Sequence, residues 1–246
     1  MSFSVILPTL NENGHIIKLI KEISQIFELN KKDFEIIVVD DNSNDGTFET
    51  VKDFQKNNTF LKTILRENKK KNLAFSINEG IFTAVYENII WLDADFQHPP
   101  KYINQFIQKA NDYDAIICSR FLRESGRYFN DSKFEKEINE NQSYLYNKLC
   151  RKILFEDITD YTSGYICVKK KFFNNYLLQG YYGDYFVDMI VEFKKKNFKI
   201  TEIPFKDEVR ASGESKTVVK INLKYLYTCF RYFITLLKSF FKKKSF

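Results

Sequence analysis

The strongest constraint on this chain is a repeated unit: a short apolar run, a polar or acidic loop, then apolar residues at helical spacing. Residues 3–7 are closed by Pro8-Thr9-Leu10-Asn11-Glu12-Asn13-Gly14, after which Ile16, Ile17, Leu19, Ile20, Ile23, Ile26 and Phe27 recur with a 3.6-residue period. Residues 35–39 end in Asp40-Asp41-Asn42-Ser43-Asn44-Asp45-Gly46-Thr47 and lead into a helix through Phe48, Val51 and Phe54. Residues 61–65, 88–92 and 115–119 read as further strands. Residues 73–84 and 99–110 read as helices, the second started by its prolines. Strand and helix in regular alternation call for an α/β fold with a mostly parallel central sheet and helices on both faces. Ligands bind such sheets at the carboxyl ends of the strands. The polar stretches at 9–13, 40–47 and 93–98 are therefore expected to converge on one edge.

Composition narrows the classes of function. With 246 residues, 17% aromatic side chains, 8 Gly and 4 Pro, the chain can bury a large core and shows no repeat or low-complexity segment. Cys118, Cys150, Cys167 and Cys229 are spaced too irregularly for a zinc site or a disulfide framework, and are expected as reduced thiols in a cytosolic compartment. Two histidines, His15 and His98, argue against a histidine-based metal site or a Ser-His-Asp triad. The apolar run at 3–7 is too short for a secretory signal and stops at Pro8. The net charge of +6 conceals an asymmetry: residues 1–215 carry 30 basic and 32 acidic side chains, a net of −2, and the eight cations beyond Glu214 have no acidic neighbour in sequence. That pattern argues against a nucleic-acid-binding body and for a C-terminal element that meets an anionic surface.

The second half is less regular. Residues 120–132, rich in Arg, Gly, Ser and Asn, read as a mobile lid over the polar edge. Residues 143–155 are expected as helix, Asp157-Ile158-Thr159-Asp160-Tyr161-Thr162-Ser163-Gly164-Tyr165 as a turn into a strand through Val168, then a helix at 186–196 and a strand at 199–205. Arg210-Ala211-Ser212-Gly213-Glu214-Ser215-Lys216 reads as a second flexible, basic loop. With Lys220 at 0° and ~100° per residue, the last helix puts Lys224 at ~40°, Arg231 at ~20° and Lys238 at ~0°, so four cations share one face. Leu223, Leu226, Phe230, Phe233, Ile234, Leu237, Phe240 and Phe241 form a broad apolar face. No apolar run reaches the ~20 residues needed to span a bilayer. This helix, residues 217–246, is expected to lie in a membrane interface, its lysines favouring anionic lipid. The same pattern would also serve a helix docked on the domain formed by residues 1–216.

Chemistry concentrates in Asp93-Ala94-Asp95-Phe96-Gln97-His98-Pro99-Pro100. Two carboxylates one residue apart beside a carboxamide form an all-oxygen donor set, suited to Mg²⁺ or Mn²⁺ rather than zinc. Such an ion neutralises a diphosphate and stabilises it as a leaving group. Glu12 and Asp41 at neighbouring strand ends could hold a base and ribose. A Walker-type loop is absent, which argues against a kinase or P-loop ATPase.

Six ordered motifs carry a resemblance: Pro8-Thr9-Leu10-Asn11-Glu12, Val38-Val39-Asp40-Asp41-Asn42-Ser43-Asn44-Asp45-Gly46-Thr47, Asp93 to Pro100, Ser119-Arg120, Asp160-x-x-Ser163-Gly164, and Arg210-x-x-Gly213-Glu214-Ser215-Lys216. In order and spacing they resemble the family 2 glycosyltransferases, and within them the dolichol-phosphate or polyprenyl-phosphate mannosyltransferase group, over residues 3–216. The resemblance implies a GT-A fold and inverting transfer of a sugar from a nucleotide-sugar donor, typically GDP-mannose, to a polyprenyl phosphate at the cytoplasmic face of a membrane. By motif position, Pro8, Leu10, Glu12, Val39 and Asp41 would hold the nucleotide. Asp93, Ala94, Asp95 and Gln97 would hold metal and diphosphate, with Asp93, Asp95 and Gln97 as the metal ligands. Arg120, Arg210 and Lys216 would close over the phosphates, making Asp95 and Arg120 the residues nearest the chemistry. A lipid phosphate is already an anion, so it needs charge neutralisation rather than a strong base.

Departures from the family pattern are Leu10 for a usual Tyr, Asn72-Leu73-Ala74 for a usual Gly-Leu-Gly, Asp188 for a helix glutamate, and Asn139 for an arginine four residues before Ser143. If that arginine helps hold the acceptor phosphate, Arg127, Lys133 or Lys136 would substitute, or the acceptor site is altered. Two other readings stay open. One is elongation of a surface glycan, with a sugar hydroxyl as acceptor and Asp160 or Asp184 as general base. The other is an inactive membrane-bound subunit or sugar-nucleotide sensor, against which the intact Asp93, Asp95, Gln97, Arg210 and Lys216 count.

Overall fold

The computed structural model describes residues 1–67, 69–125, 142–180, 183–206, 208 and 223–245, with positions 142 and 223–226 described by their backbone alone. Its strands are β1 (Phe3–Thr9), β2 (Phe34–Asp40), β3 (Leu61–Leu65), β4 (Asn88–Trp91), β5 (Ala115–Ser119), β6 (Ile166–Lys169) and β7 (Ile200–Pro204). Its α-helices are α1 (Ile16–Leu29), α2 (Thr47–Gln55), α3 (Leu73–Thr83), α4 (Ile103–Lys109), α5 (Gln142–Ile153), α6 (Tyr185–Lys195) and α7 (Leu223–Lys244).

The strands form one sheet in the order β3-β2-β1-β4-β6-β5-β7. β1 pairs in parallel with both β2 and β4, β2 with β3, and β5 with β7; among the described residues only β6, paired with β4 and β5, runs antiparallel. The expected mostly parallel α/β sheet is present. The reversed strand is a pairing that sequence order cannot reveal.

Strand alternation sends side chains to two cores. Ile6, Ile37, Val39, Ile89, Trp91 and Ile117 pack with α3 and α6 on one face. Val5, Leu7, Ile36, Val38, Ile90 and Ile116 pack with α1 and α4 on the other. α1 buries Ile16, Leu19, Ile20, Ile23 and Phe27, the stripe its sequence announces. Gly80 of α3 sits so close to β1 that a Cβ there would lie 2.5 Å from Ile6 Cγ2. Far from the polar edge, Glu35 takes hydrogen bonds from Ser4 Oγ and the Val85 amide, and its other oxygen pairs with Lys62.

Two expectations change in detail. The helix foreseen at 99–110 is a 3₁₀ turn, Pro100–Tyr102, followed by α4. The segment at 123–125, foreseen as part of a mobile lid, is a 3₁₀ turn with buried Ser125 bonded to the carbonyls of Arg120 and Leu122. The rest of that foreseen lid, 126–132, lies outside the described residues.

α7 corrects the reading of its cationic face. Arg231 Nη2 donates to Asp184 Oδ2 at 3.3 Å, and Lys242 Nζ reaches both Asp188 Oδ1 at 2.9 Å and Glu192 Oε1 at 2.6 Å. Asp184, the N-cap of α6, and Asp188 and Glu192 within it lie at successive i,i+4 positions, an acidic row that takes Arg231 and Lys242, whereas Lys238 of the expected cationic face is exposed. Lys243 bonds the carbonyls of Ile153 and Leu154, Tyr146 Oη donates to Tyr232 O, and Leu236 and Ser239 are buried. The helix is docked on the domain, and its outer face leaves Tyr227, Phe230, Phe233, Leu237 and Phe241 exposed. No helix among the described residues is long and apolar enough to cross a membrane.

Candidate active site

The strand order reverses between β1 and β4, and a crevice opens outside their carboxyl ends at such a switch point. The loops after β1, β2, β4 and β5 and the loop entering antiparallel β6 all share this edge.

The first two loops are laced together. Asn11 and Asn42, with φ of 58° and 59°, turn the chain through the left-handed region that asparagine tolerates. Asn11 N donates to Ser43 Oγ, Asn44 N to Asn11 Oδ1, Asn13 N to Asp45 Oδ2, and Glu12 N to Thr47 Oγ1. Asp40, fully buried, accepts from Ser43 N and Oγ and from Thr9 Oγ1. Asp40 thus organises the loop. Glu12 is buried and faces His15 Nε2 at 3.1 Å. Asp41 pairs with buried Arg66 and accepts the Asn72 amide at 2.7 Å. Burial raises its carboxyl above the usual range, against the pull of Asn72 and Arg66. Pro8 and Leu10 are half-buried, whereas Val39 and Ala94 are buried, which leaves only the backbone of those two to meet a ligand.

Sequence reasoning missed Arg66. The available signal was its place directly after β3, at the same edge. The departure at Asn72 also acquires a structural sense: its Oδ1 caps α3 by accepting Phe75 N, and its Nδ2 donates to Gly180 O. A glycine could do neither.

After β4 the chain makes a tight, strained turn. Asp95 Oδ1 accepts Gln97 N at 3.0 Å, and Phe96 between them has φ of 66°, a conformation costly for an aromatic residue. His98 Nδ1 accepts Asp93 N at 3.0 Å, so that nitrogen carries no proton. Its ring stacks on Tyr165 at 5.1 Å and meets Phe205 edge-on. His98 is a brace that fixes the backbone of the acidic turn. Asp95 is buried and Asp93 half-buried. Tyr185 lies beneath, its hydroxyl accepting from Trp91 Nε1 and its ionisation opposed by burial and by Asp93.

No group of three His, Cys, Asp or Glu side chains that could cage a metal occurs among the described residues. Two carboxylates and an amide oxygen suit a hard cation that completes its shell with phosphate and water, as Mg²⁺ and Mn²⁺ do. The donor set fits such an ion bound together with a diphosphate.

Arg120, after β5, is held rather than loose. Its Nε and Nη2 donate to Asp160 Oδ2 and Oδ1, both at 2.9 Å, its amide donates to Asp160 Oδ2, and Nη2 also reaches Thr162 Oγ1 at 2.8 Å. Asn147 Nδ2 donates to Thr162 Oγ1, which also lies 3.2 Å from Ser143 Oγ. Gly164, with φ of 69°, turns the chain from this cluster into β6. Asp160 is 0% exposed and Asp184 1%, the latter accepting from Arg231 and Thr235. Asp188 takes Tyr176 Oη and Lys242, so its contacts bind α7 to the domain. Arg210 and Lys216 lie outside the described residues, as do Asn139, Arg127, Lys133 and Lys136.

The profile of the family described as glycosyl transferase family 2 matches residues 4–177. The chain belongs to that family. Among curated relatives of this family 2 glycosyltransferase, a dolichol-phosphate mannosyltransferase of Pyrococcus furiosus is 30% identical over 232 residues, covering 94% of this chain and 63% of the archaeal protein. The chain therefore spans less than two thirds of that relative's length. The dolichol-phosphate mannosyltransferase of Saccharomyces cerevisiae is 25% identical, over 92% of this chain and 85% of its own. In three dimensions the chain is similar to glucosyl-3-phosphoglycerate synthase of Mycobacterium tuberculosis in complex with Mn²⁺, UDP and glucosyl-3-phosphoglycerate, with a TM-score of 0.68 and 15% identity over 97% of this chain and 79% of the other. At that identity the likeness concerns the fold, which is GT-A.

Proposed function

We propose that this glycosyltransferase moves a hexose, with inversion, from a nucleotide-sugar donor to a polyprenyl phosphate at a membrane surface. The observation that favours a phosphate acceptor is the state of Asp160 and Asp184, the two candidate general bases. Asp160 is buried in the Arg120 fork, and Asp184 is buried against Arg231 and Thr235. A sugar hydroxyl would need a base with access to it. A phosphate monoester is ionised near neutrality and needs only cations beside it. The names of the mannosyltransferase relatives support the same acceptor and a mannose donor.

On this reading Glu12 and Asp41 receive the nucleoside, the laced loops having fixed their backbones beforehand. Asp93, Asp95 and Gln97 would hold Mg²⁺ or Mn²⁺, which when bound supplies charge neutralisation to the departing diphosphate. Arg120 offers the acceptor cluster a guanidinium whose direction Asp160 has set, with Ser143 and Thr162 as hydroxyl donors. Arg210 and Lys216 would add cations from the loop after β7. α7, through its outward aromatic stripe, would keep this edge near the bilayer that carries the acceptor.

The test incubates purified protein with radiolabelled GDP-mannose, UDP-glucose or another sugar nucleotide, Mn²⁺ or Mg²⁺, and polyprenyl phosphate, and follows chloroform-soluble label. Lipid-linked label is expected. Asp95→Asn is expected to cut it about 100-fold or more, the scale of losing a principal electrostatic group. Label on an oligosaccharide, with none in lipid for any donor, would overturn the proposal.

A further inference from the structure

Behind Arg120 stands a second carboxylate, on an element that contributes nothing else to the described site. Glu202 of β7 lies beside Ile117 of β5, two residues before β5 ends at Ser119. Its residue is partly exposed along the edge strand, but its carboxylate is fully engaged from one side. Oε2 accepts the Thr159 amide at 2.8 Å and the Thr159 hydroxyl at 2.9 Å, and Oε1 accepts the Asp160 amide at 3.0 Å. Thr159 Oγ1 also lies 2.5 Å from Ser119 Oγ, the residue before Arg120. Glu202 therefore grips the backbone of the very residue whose carboxylate makes the Arg120 fork, and ties it to the end of β5.

We infer that Glu202 is a positioning residue for the transfer reaction, setting the direction of Arg120 through the Thr159-Asp160 segment. The inference rests on the proposed role of Arg120 toward phosphate. Charge-assisted hydrogen bonds from three donors hold Asp160 far more rigidly than a neutral partner would. An arginine oriented by a rigid carboxylate loses little further freedom when a phosphate arrives. The site is thus pre-organised by a group that never touches substrate.

Burial is the main cause that lifts the Glu202 carboxyl to about 7; the Thr159 and Asp160 donors oppose it, and the Asp160 charge adds to it. Among the described residues, the other titratable groups that act on this pair are the Tyr161 hydroxyl and, across Asp160, the Arg120 guanidinium and the Cys118 thiol. A proton on Glu202 removes one acceptor oxygen from the three donors, and the Ser119-Thr159 hydroxyl pair can reverse to suit the neutral acid. The grip on Asp160 weakens, so positioning is complete above neutrality and fades as the pH falls.

The experiment compares wild type, Glu202→Gln, Glu202→Asp and Arg120→Lys in the transfer assay from about pH 5.5 to 8.5, with the Arg120 Nε–H signal followed by ¹⁵N NMR over the same range. Cooperative urea unfolding establishes that each variant is folded. In wild type, kcat/KM for polyprenyl phosphate should fall along an acid limb near 7, and the Arg120 signal, assigned by its absence in Arg120→Lys, should move with the same midpoint. Glu202→Gln should lower the plateau roughly 10- to 100-fold, as misplacement of a positioned group does, abolish the limb near 7 and leave the Arg120 signal pH-independent. A limb near 6 that survives in Glu202→Gln belongs to the acceptor phosphate. Glu202→Asp, one methylene short of Thr159, should recover only part of the plateau. Wild-type behaviour of Glu202→Gln in rate and in the Arg120 signal would overturn the inference. Should Arg120→Lys transfer as well as wild type, the phosphate role of Arg120 falls, and the NMR arm alone still decides whether Glu202 aims that side chain.

Discussion

Carboxylates at single positions in this molecule do two different kinds of work, and the direction in which their proton affinity is shifted separates them. Glu35 is buried, which raises its carboxyl, but Lys62, Ser4 Oγ and the Val85 amide outweigh burial and hold it below the usual range. In Asp45 burial likewise loses to Thr47 and the Asn13 amide. Groups depressed in this way stabilise the fold above the ordinary carboxylate range, and that stability is lost as the pH falls through their lowered values. Glu202 has the opposite sign. Raised from 4.5 to about 7, it favours the folded state fully below 4.5 and loses that contribution as the pH rises through 7. Urea unfolding across the pH range should therefore show the midpoint dropping below about pH 4, less steeply in Glu35→Gln, together with a separate decline of about 1–3 kcal/mol between about pH 5 and 8 that Glu202→Gln removes. A flat wild-type profile from about pH 5 to 8 would count against a raised Glu202. None of this was legible in sequence, because Glu202 and Thr159 are 43 residues apart and meet only through the β5–β7 pairing. Asp93 and Asp95 were legible, since an apolar strand stopping at two acids states its chemistry locally.

At the scale of elements, helical and strand periods announced α1, α2, α3 and the first five strands, because each buries a face against the sheet and must show that face in its own sequence. The antiparallel course of β6 was hidden, since a four-residue buried strand reads the same in either direction. The docking of α7 was hidden for another reason: a row of cations on a helix fits a lipid headgroup and a row of acids equally well. Here the acids are Asp184, at the N-cap of α6, and Asp188 and Glu192 within it. Packing of α3 on β1 offers a sharper test of element contacts. Replacing Gly80 by Ala gains about 1 kcal/mol of helix propensity, but the added Cβ meets the branched Ile6 side chain, fully buried in a strand that has no room to yield. Overpacking of this kind costs about 1–3 kcal/mol, so net destabilisation is expected in Gly80→Ala. In an Ile6→Ala background, which removes the Cγ2 that the new Cβ would meet, Gly80→Ala should cost less than it does in wild type, and the urea midpoints of the single and double variants measure both. A Gly80→Ala protein more stable than wild type would show that α3 can shift off the sheet.

On the scale of the whole molecule, charge and apolar surface are divided between two ends of one helix contact. The eight cations beyond Glu214 and the broad apolar face of the last helix are expected to hold it in an interface rich in anionic lipid. In the folded protein Arg231 and Lys242 are turned inward to α6, while Phe230, Phe233, Leu237 and Phe241 face outward, Phe233 at 53% and Phe241 at 66% exposure. Each buried aromatic side chain is worth about 1.5–3 kcal/mol on leaving water, whereas a lysine near an anionic surface contributes about 1 kcal/mol and is screened by salt. Membrane attachment by α7 is therefore expected to depend first on the aromatic stripe. In flotation with liposomes of mixed neutral and anionic lipid, Phe233→Asp combined with Phe241→Asp should release most of the protein at any salt concentration. Lys238→Ala combined with Lys244→Ala, which removes two exposed cations and no apolar surface, should weaken binding only several-fold and mainly at low salt. The docked face is untouched by either pair, so urea unfolding should be unchanged in both. If the lysine pair releases the protein and the phenylalanine pair does not, attachment is electrostatic and the exposed aromatic stripe serves some other contact.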